Sequence, residues 1–188
     1  MKILLILILT FSFQSLTKAD DIREFEIEGI SIGESLLNYA SEGEIKKFQT
    51  SQTSSSKKYK RYYNVKKDVN NYDGVDVWVL DNDSKYIIQS LTGVIEYEKN
   101  ISECYPKKKK IVTSVQNQLN IKGYTYISNY DNNTSKSDVT DFDYKNGSVR
   151  IWCTDYSKIK EDKGYGDFLS VTVSNAKFLD WLNNEAYK

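Results

Sequence analysis

The chain has 188 residues with no histidine, two cysteines, one proline and fifteen tyrosines, and its 26 basic residues balance its 26 acidic ones. Without histidine, Ser-His-Asp and Cys-His nucleophile systems and histidine-ligated zinc are excluded. A balanced charge supplies no field that draws the chain to nucleic acid or to an acidic membrane, and the length suits one domain of about 100–200 residues.

Lys2, a predominantly apolar run from Ile3 to Phe11 and the small-residue exit Thr17-Lys18-Ala19 read as an export signal. The apolar stretch is shorter than the ~20 residues a bilayer span needs, and no cysteine near Ala19 offers a lipid acceptor. The expectation is cleavage near Ala19, a signal peptide at residues 1–19 and a single domain at residues 20–188, periplasmic or secreted, with no stable membrane insertion. Cleavage removes two lysines and leaves 24 bases against 26 acids, a net charge of −2.

Phe25-Glu26-Ile27-Glu28 alternates like an edge strand, and Gly29 follows as a turn residue. Ser31 with Glu34 fits a capping box, and Ile32, Leu36, Leu37 and Ala40 give an apolar stripe, so a helix is expected from Ser31. Ser41 with Glu44 is a second box, at which a second short helical piece meets the first. Residues 50–58, rich in Ser, Thr, Gln and Lys, read as a surface loop. Strands are expected at Tyr59–Val65, Val75–Leu80 and Tyr86–Glu98, the last being long enough for Gly93 to mark a bulge or bend.

Asn100 with Glu103 opens the next helix, on which Cys104, Ile111, Val112, Val115 and Leu119 share a side. Pro106 disturbs it, so either its first turn is separate or it begins near Pro106. Gly123 is read as its end. Strands follow at Tyr124–Asn129, Asp138–Tyr144, Val149–Tyr156 and Phe168–Val173, with Asn146-Gly147 as a hairpin signal between two of them. Ala176 to Ala186 closes the chain as a helix with Phe178, Leu179, Trp181 and Leu182 inward. The fold expected is α+β: an antiparallel sheet of about six or seven strands with two to three helices on one face, arranged as two similar helix-plus-sheet halves in one variant.

Cys104 and Cys153 read as a disulfide in an oxidising compartment, closing a loop of about fifty residues. Redox use is the sharper reading, but it favours close-spaced cysteines beside a cation. Lys57, Lys58, Lys60 and Arg61, interleaved with tyrosines, form one basic cluster and Lys107 to Lys110 another; the first is the candidate anion-binding patch, against a plain solvated face. Acids gather at Asp81/Asp83, between Asp131 and Asp143, and at Glu161-Asp162. The stretch from Asp131 begins like a calcium loop but places Lys136 at the turn glycine and Phe142 at the bidentate glutamate, which argues against calcium. Gly164-Tyr165-Gly166 reads as a turn, with a ligand-gating loop as the alternative. No cofactor and no metal site is expected.

The segment from Phe25 to Leu37, Glu103-Cys104-Tyr105 and the ending Asn184-Glu185-Ala186-Tyr187-Lys188 resemble a group of small exported proteins from AT-rich bacterial genomes. Cys104 and the Tyr-Gly stretch at Tyr165 fit that group, and Pro106 departs from it. The resemblance implies a bacterial exported protein and carries over no active site.

Three functions follow as expectations. The first is a non-catalytic periplasmic or secreted binding module for an envelope protein or a small ligand. The second is a histidine-free hydrolase or lyase working through paired carboxylates or a tyrosine. The third is an inhibitor or assembly factor for an envelope protein, on fold analogy alone.

Overall fold

The computed structural model describes residues 21–51, 56–66, 68–98, 100–130 and 134–188. The export signal at residues 1–19 and the start of the calcium-like stretch at Asp131 lie outside the described residues.

Alternation along each expected strand does produce a strand, and the order in which the strands assemble is the main architectural result. A two-stranded ribbon pairs β1 (Glu26–Ile27) with β2 (Ile30–Ser31). The main sheet holds eight antiparallel strands: β3 (Thr50–Ser51), β4 (Tyr59–Tyr62), β5 (Gly74–Leu80), β6 (Ile88–Glu98), β7 (Tyr124–Tyr130), β8 (Ser135–Tyr144), β9 (Gly147–Tyr156) and β10 (Asp167–Asn175). Their spatial order is β3-β4-β5-β6-β10-β9-β8-β7. The chain therefore lays down one meander from the β3 edge inward and crosses over. It then lays down a second meander from the β7 edge inward and slots β10 between β6 and β9.

The helices are α1 (Glu42–Ile45), α2 (Ile101–Leu119), α3 (Lys158–Glu161) and α4 (Ala176–Asn184). They do not share one face. Cys104, Val115 and Leu119 of α2 join the cluster formed by Val75, Val77, Leu91, Val149, Ile151, Cys153, Leu169, Val171 and Val173. Phe178 and Trp181 of α4 instead pack with Tyr59 and Trp78. The register places Tyr59, Arg61 and Trp78 on the side opposite Val77 and Val79, so α2 and α4 lie on opposite faces of the sheet. The N-terminal segment completes the cover on the α2 side with Ile22, Phe25, Ile27, Ile30, Ile32, Leu36 and Ile45, all buried.

Several local expectations change for identifiable reasons. Glu28 (φ 53°) and Gly29 (φ 74°) make the two-residue turn of the ribbon, the left-handed pair that a tight hairpin demands. Half of the capping box at Ser31 forms, since its N–H donates to the Glu34 carboxylate at 3.1 Å, yet no helix follows. Gly33 at φ 86° turns the backbone away, and only a 3-10 turn forms, at Leu36–Asn38. The box at Ser41 does open a helix, α1, with both Ser41 N–H and Oγ–H donating to Glu44. Residues 50–51, expected in a loop, become the short edge strand β3.

Helix α2 runs through Pro106 without a break, and neither alternative for its start holds. The disulfide at Cys104 and an ion pair at Lys108 hold it to the sheet on both sides of the proline. It stops at Asn120, left-handed at φ 53°, three residues before Gly123. Gly93 marks no bulge: it pairs in register with Val75 and Val171, and the irregularities fall at Trp78/Val79 and Asp167/Phe168. Its missing side chain makes room for Tyr72 and Ile27, whose atoms lie 2.6 and 2.8 Å from where a Cβ would sit.

Cys104 and Cys153 are joined, with Cα atoms 6.0 Å apart and a sequence separation of 49. Opening that bond should cost on the order of 4 kcal/mol in the chain-entropy account. The Cys104→Ser/Cys153→Ser double variant should therefore melt well below the parent, and non-reduced parent should show no thiol titratable by Ellman reagent. Two free thiols in the oxidised protein would overturn the pairing.

Gly147 opens β9, and a Cβ there would lie 2.1 Å from the Ser174 carbonyl oxygen, whereas nothing lies within 4 Å of one at Gly43. Gly147→Ala should lower stability by about 2 kcal/mol or more, while Gly43→Ala in α1 should be neutral or stabilising by up to about 1 kcal/mol. Equal melting temperatures for the two would refute the close approach.

Candidate functional site

Alternation gives the main sheet two unlike faces. The face under α2 is largely apolar, with Asp138 set on it opposite Lys108. The other carries Trp78 from β5, Ser90, Thr92 and Val94 from β6, Phe168, Ser170, Thr172 and Ser174 from β10, and Ser148, Arg150 and Trp152 from β9. With Arg61 of β4, Phe178, Leu179 and Leu182 of α4, and Tyr187, these residues line a groove of about 480 Å³. Two further hollows continue it on the same face. One, of about 390 Å³, shares Arg150 and Trp152 and runs on to Ser137, Val139, Thr154 and Tyr156. The other, of about 400 Å³, shares Val94 and Phe168 and ends among Glu96, Glu98, Glu161 and Tyr165.

The floor is hydroxylic and cross-linked. Ser90 and Ser174 share a hydrogen bond of 2.7 Å, Thr92 and Thr172 one of 2.8 Å, and Ser137 and Thr154 one of 2.8 Å. Each such pair uses one O–H and keeps a second O–H and free lone pairs. The walls are aromatic. Trp78 is half-buried against Phe178 at 5.6 Å, and Trp152 and Phe168 are half-buried beside the floor.

Both arginines of the groove are neutralised. Arg61 donates to the buried Asp76 at 2.7 Å, and Arg150 donates to both oxygens of Asp141 at 2.7 and 2.9 Å. The two-pronged contact at Arg150 fixes its guanidinium plane, whereas Arg61 holds Asp76 through one nitrogen.

The expected basic patch does not converge. Lys58 is tied to Glu185 at 3.1 Å, and Arg61 to Asp76. Lys60 projects to the other side of β4 from Arg61, over the Tyr62 ring, and Lys57 is exposed. In the second basic cluster, Lys108 turns inward and binds Asp138 at 2.7 Å while its neighbours stay in water. The acids are likewise employed: Asp83 accepts from the N–H groups of Lys85 and Ile87, both at 2.9 Å, Asp138 holds Lys108 and Asp141 holds Arg150. Tyr165 rests near Tyr156, with Lys160 over its ring.

Reasoning from the sequence missed the groove and one pair of carboxylates. Asp155 and Asp167 come from different strands and meet electrostatically beside α2, where burial, followed by the Asp167 charge, raises the Asp155 carboxyl above its ordinary value. Asp167 is buried and accepts from the Tyr156 N–H at 2.9 Å. Burial, then the charges of Asp155, Asp138 and Asp167, also raises the Tyr105 hydroxyl. Among the described residues no group of three or more Cys, Asp or Glu side chains could hold a metal ion. Among them, too, no helix is long and apolar enough to cross a membrane.

No protein-family model, curated protein or solved structure matches the chain.

A carboxyl raised by folding binds its proton more tightly in the native state than in the unfolded one. Its stabilising share is present below the ordinary pKa of 3.8 and is lost as pH rises through the folded value. Asp155→Asn should therefore raise the melting temperature at neutral pH, with the gain vanishing at about pH 3. A gain equal at both pH values would show that the effect is not electrostatic.

Proposed function

We propose that the protein is an exported, non-catalytic binding module, periplasmic or secreted after cleavage near Ala19, that holds its partner on the face of the sheet opposite α2. The observation that carries this reading is the groove walled by Trp78, Trp152 and Phe168 over a floor of serine and threonine. A concave, mixed aromatic and polar lining of several hundred Å³ is the usual form of a recognition site. The joined Cys104 and Cys153 suit an oxidising compartment. The resemblance to small exported proteins of AT-rich bacterial genomes points the same way. The two meanders, each running inward from its own edge, are consistent with two similar halves.

A second reading has one observation behind it. Glu96, Glu98 and Glu161 line a hollow with Tyr165, the residue types a histidine-free hydrolase or lyase would use. The binding reading accounts for more of the same face, because the hollow opens into the groove through Val94 and Phe168.

The test is affinity capture from native envelope extract on immobilised mature protein, with Trp152→Ala and Thr172→Val as comparison baits. The parent should retain a macromolecule or a metabolite, and both variants should lose most of it. Retention unchanged by either substitution, or no retention at all, would overturn the reading. A captured species released chemically altered, with the alteration abolished by Glu98→Gln or Tyr165→Phe, would replace it with the catalytic one.

A further inference from the structure

We propose that the groove takes a neutral, hydroxyl-rich chain, an uncharged oligosaccharide laid obliquely across the strands. The proposal rests on the binding reading above and names its ligand class.

The first argument is spacing. Trp78 lies on β5 and Trp152 on β9, with β6 and β10 between them, and the register sets Ser148 in line with Trp78 and Trp152 four residues further along β9, so the two tryptophans are about 20 Å apart diagonally across the sheet at the usual strand separation and rise. That distance is too long for one sugar ring to touch both, and a chain of rings spans it. Aromatic side chains offer flat apolar surface with a polar rim, which matches the C–H face of a pyranose.

Donor and acceptor balance supplies the second argument. Between the two indoles the reachable polar groups are Thr172, Ser148 and Arg150, with the more deeply buried Thr92 hydrogen-bonded to Thr172. A hydroxyl both donates and accepts, so a threonine pair that retains one O–H and spare lone pairs is satisfied by a ligand that also does both. A phosphate or carboxylate only accepts, and it would leave those lone pairs facing its oxygens.

Charge excludes the anionic alternative. Asp76 and Asp141 hold both guanidinium groups of the groove, and the continuation past Phe168 is lined by Glu96, Glu98 and Glu161. An acidic glycan or nucleic acid would meet no uncompensated cation there and would face three carboxylates. Asp141 fixes the plane of the exposed Arg150 guanidinium at the edge of the groove.

The experiment is titration of the mature protein with neutral tetra- to hexasaccharides of β-1,4-glucan, chitin, α-1,4-glucan and mannan, and with oligogalacturonate of equal length. Tryptophan fluorescence and calorimetry give the readout. At least one neutral oligomer should bind, more tightly by about tenfold than its monosaccharide. Trp152→Ala should weaken it about tenfold, whereas Trp152→Phe, which keeps the platform and controls for folding, should stay within about threefold of the parent. If no neutral oligomer binds while envelope capture through Trp152 persists, the ligand class is wrong and the binding reading stands. Tighter binding of oligogalacturonate would also overturn the ligand class. Loss of both oligosaccharide binding and envelope capture would bring down both.

Discussion

Strand β10 is the element on which the rest of the structure depends. It pairs with β6 along one side, from Asp167 to Ser174, and with β9 along the other, from Phe168 to Asn175. Without it the two meanders have no common sheet. Its alternation also sets the character of both faces at the centre: Leu169, Val171 and Val173 point into the core, while Ser170, Thr172 and Ser174 point into the groove. A strand with period two can serve two environments only if every second residue is chosen for each.

The hydroxylic face carries a physical compromise. A central strand buried on both sides would ordinarily be filled with branched apolar residues, and an apolar second face would demand a second layer to cover it. Serine and threonine keep the strand compatible with the pleat, and they satisfy one another across it through the Ser90–Ser174 and Thr92–Thr172 bonds. Helix α4 then needs to cover only the region of Tyr59 and Trp78, and the remainder of the face can meet water or a ligand.

The strands were legible because each is a run of alternating residues bounded by turn chemistry, and β4 to β10 all fall on the runs expected of them. Apart from the Cys104–Cys153 pair, what escaped was set by distance in space. Ser31 and Glu34 look like a cap whether or not Gly33 permits a helix, and the structure shows the hydrogen bond without the helix. Pro106 argues against a continuous α2 when taken locally, but the helix is anchored on both sides of it. Lys108 reads as surface in a run of four lysines, and only the arrival of Asp138 from β8 explains its burial. The groove was illegible for the same reason: Trp78 and Trp152 lie on different meanders, and only the inserted β10 sets their separation. Side-chain alternation announces two faces but not which helix covers which, hence α4 on the face opposite α2.

The disulfide joins α2 to β9, and both precede β10 in the chain. Oxidation can therefore close before the last strand is in place, leaving a gap one strand wide between β6 and β9 with raw backbone donors and acceptors on both margins. Both ends of the covalent tie thus lie ahead of residues 167–175 in the chain, and the tie itself needs nothing from β10. A chain ending before those residues would hold two separate meanders, because β6 and β9 meet only through β10.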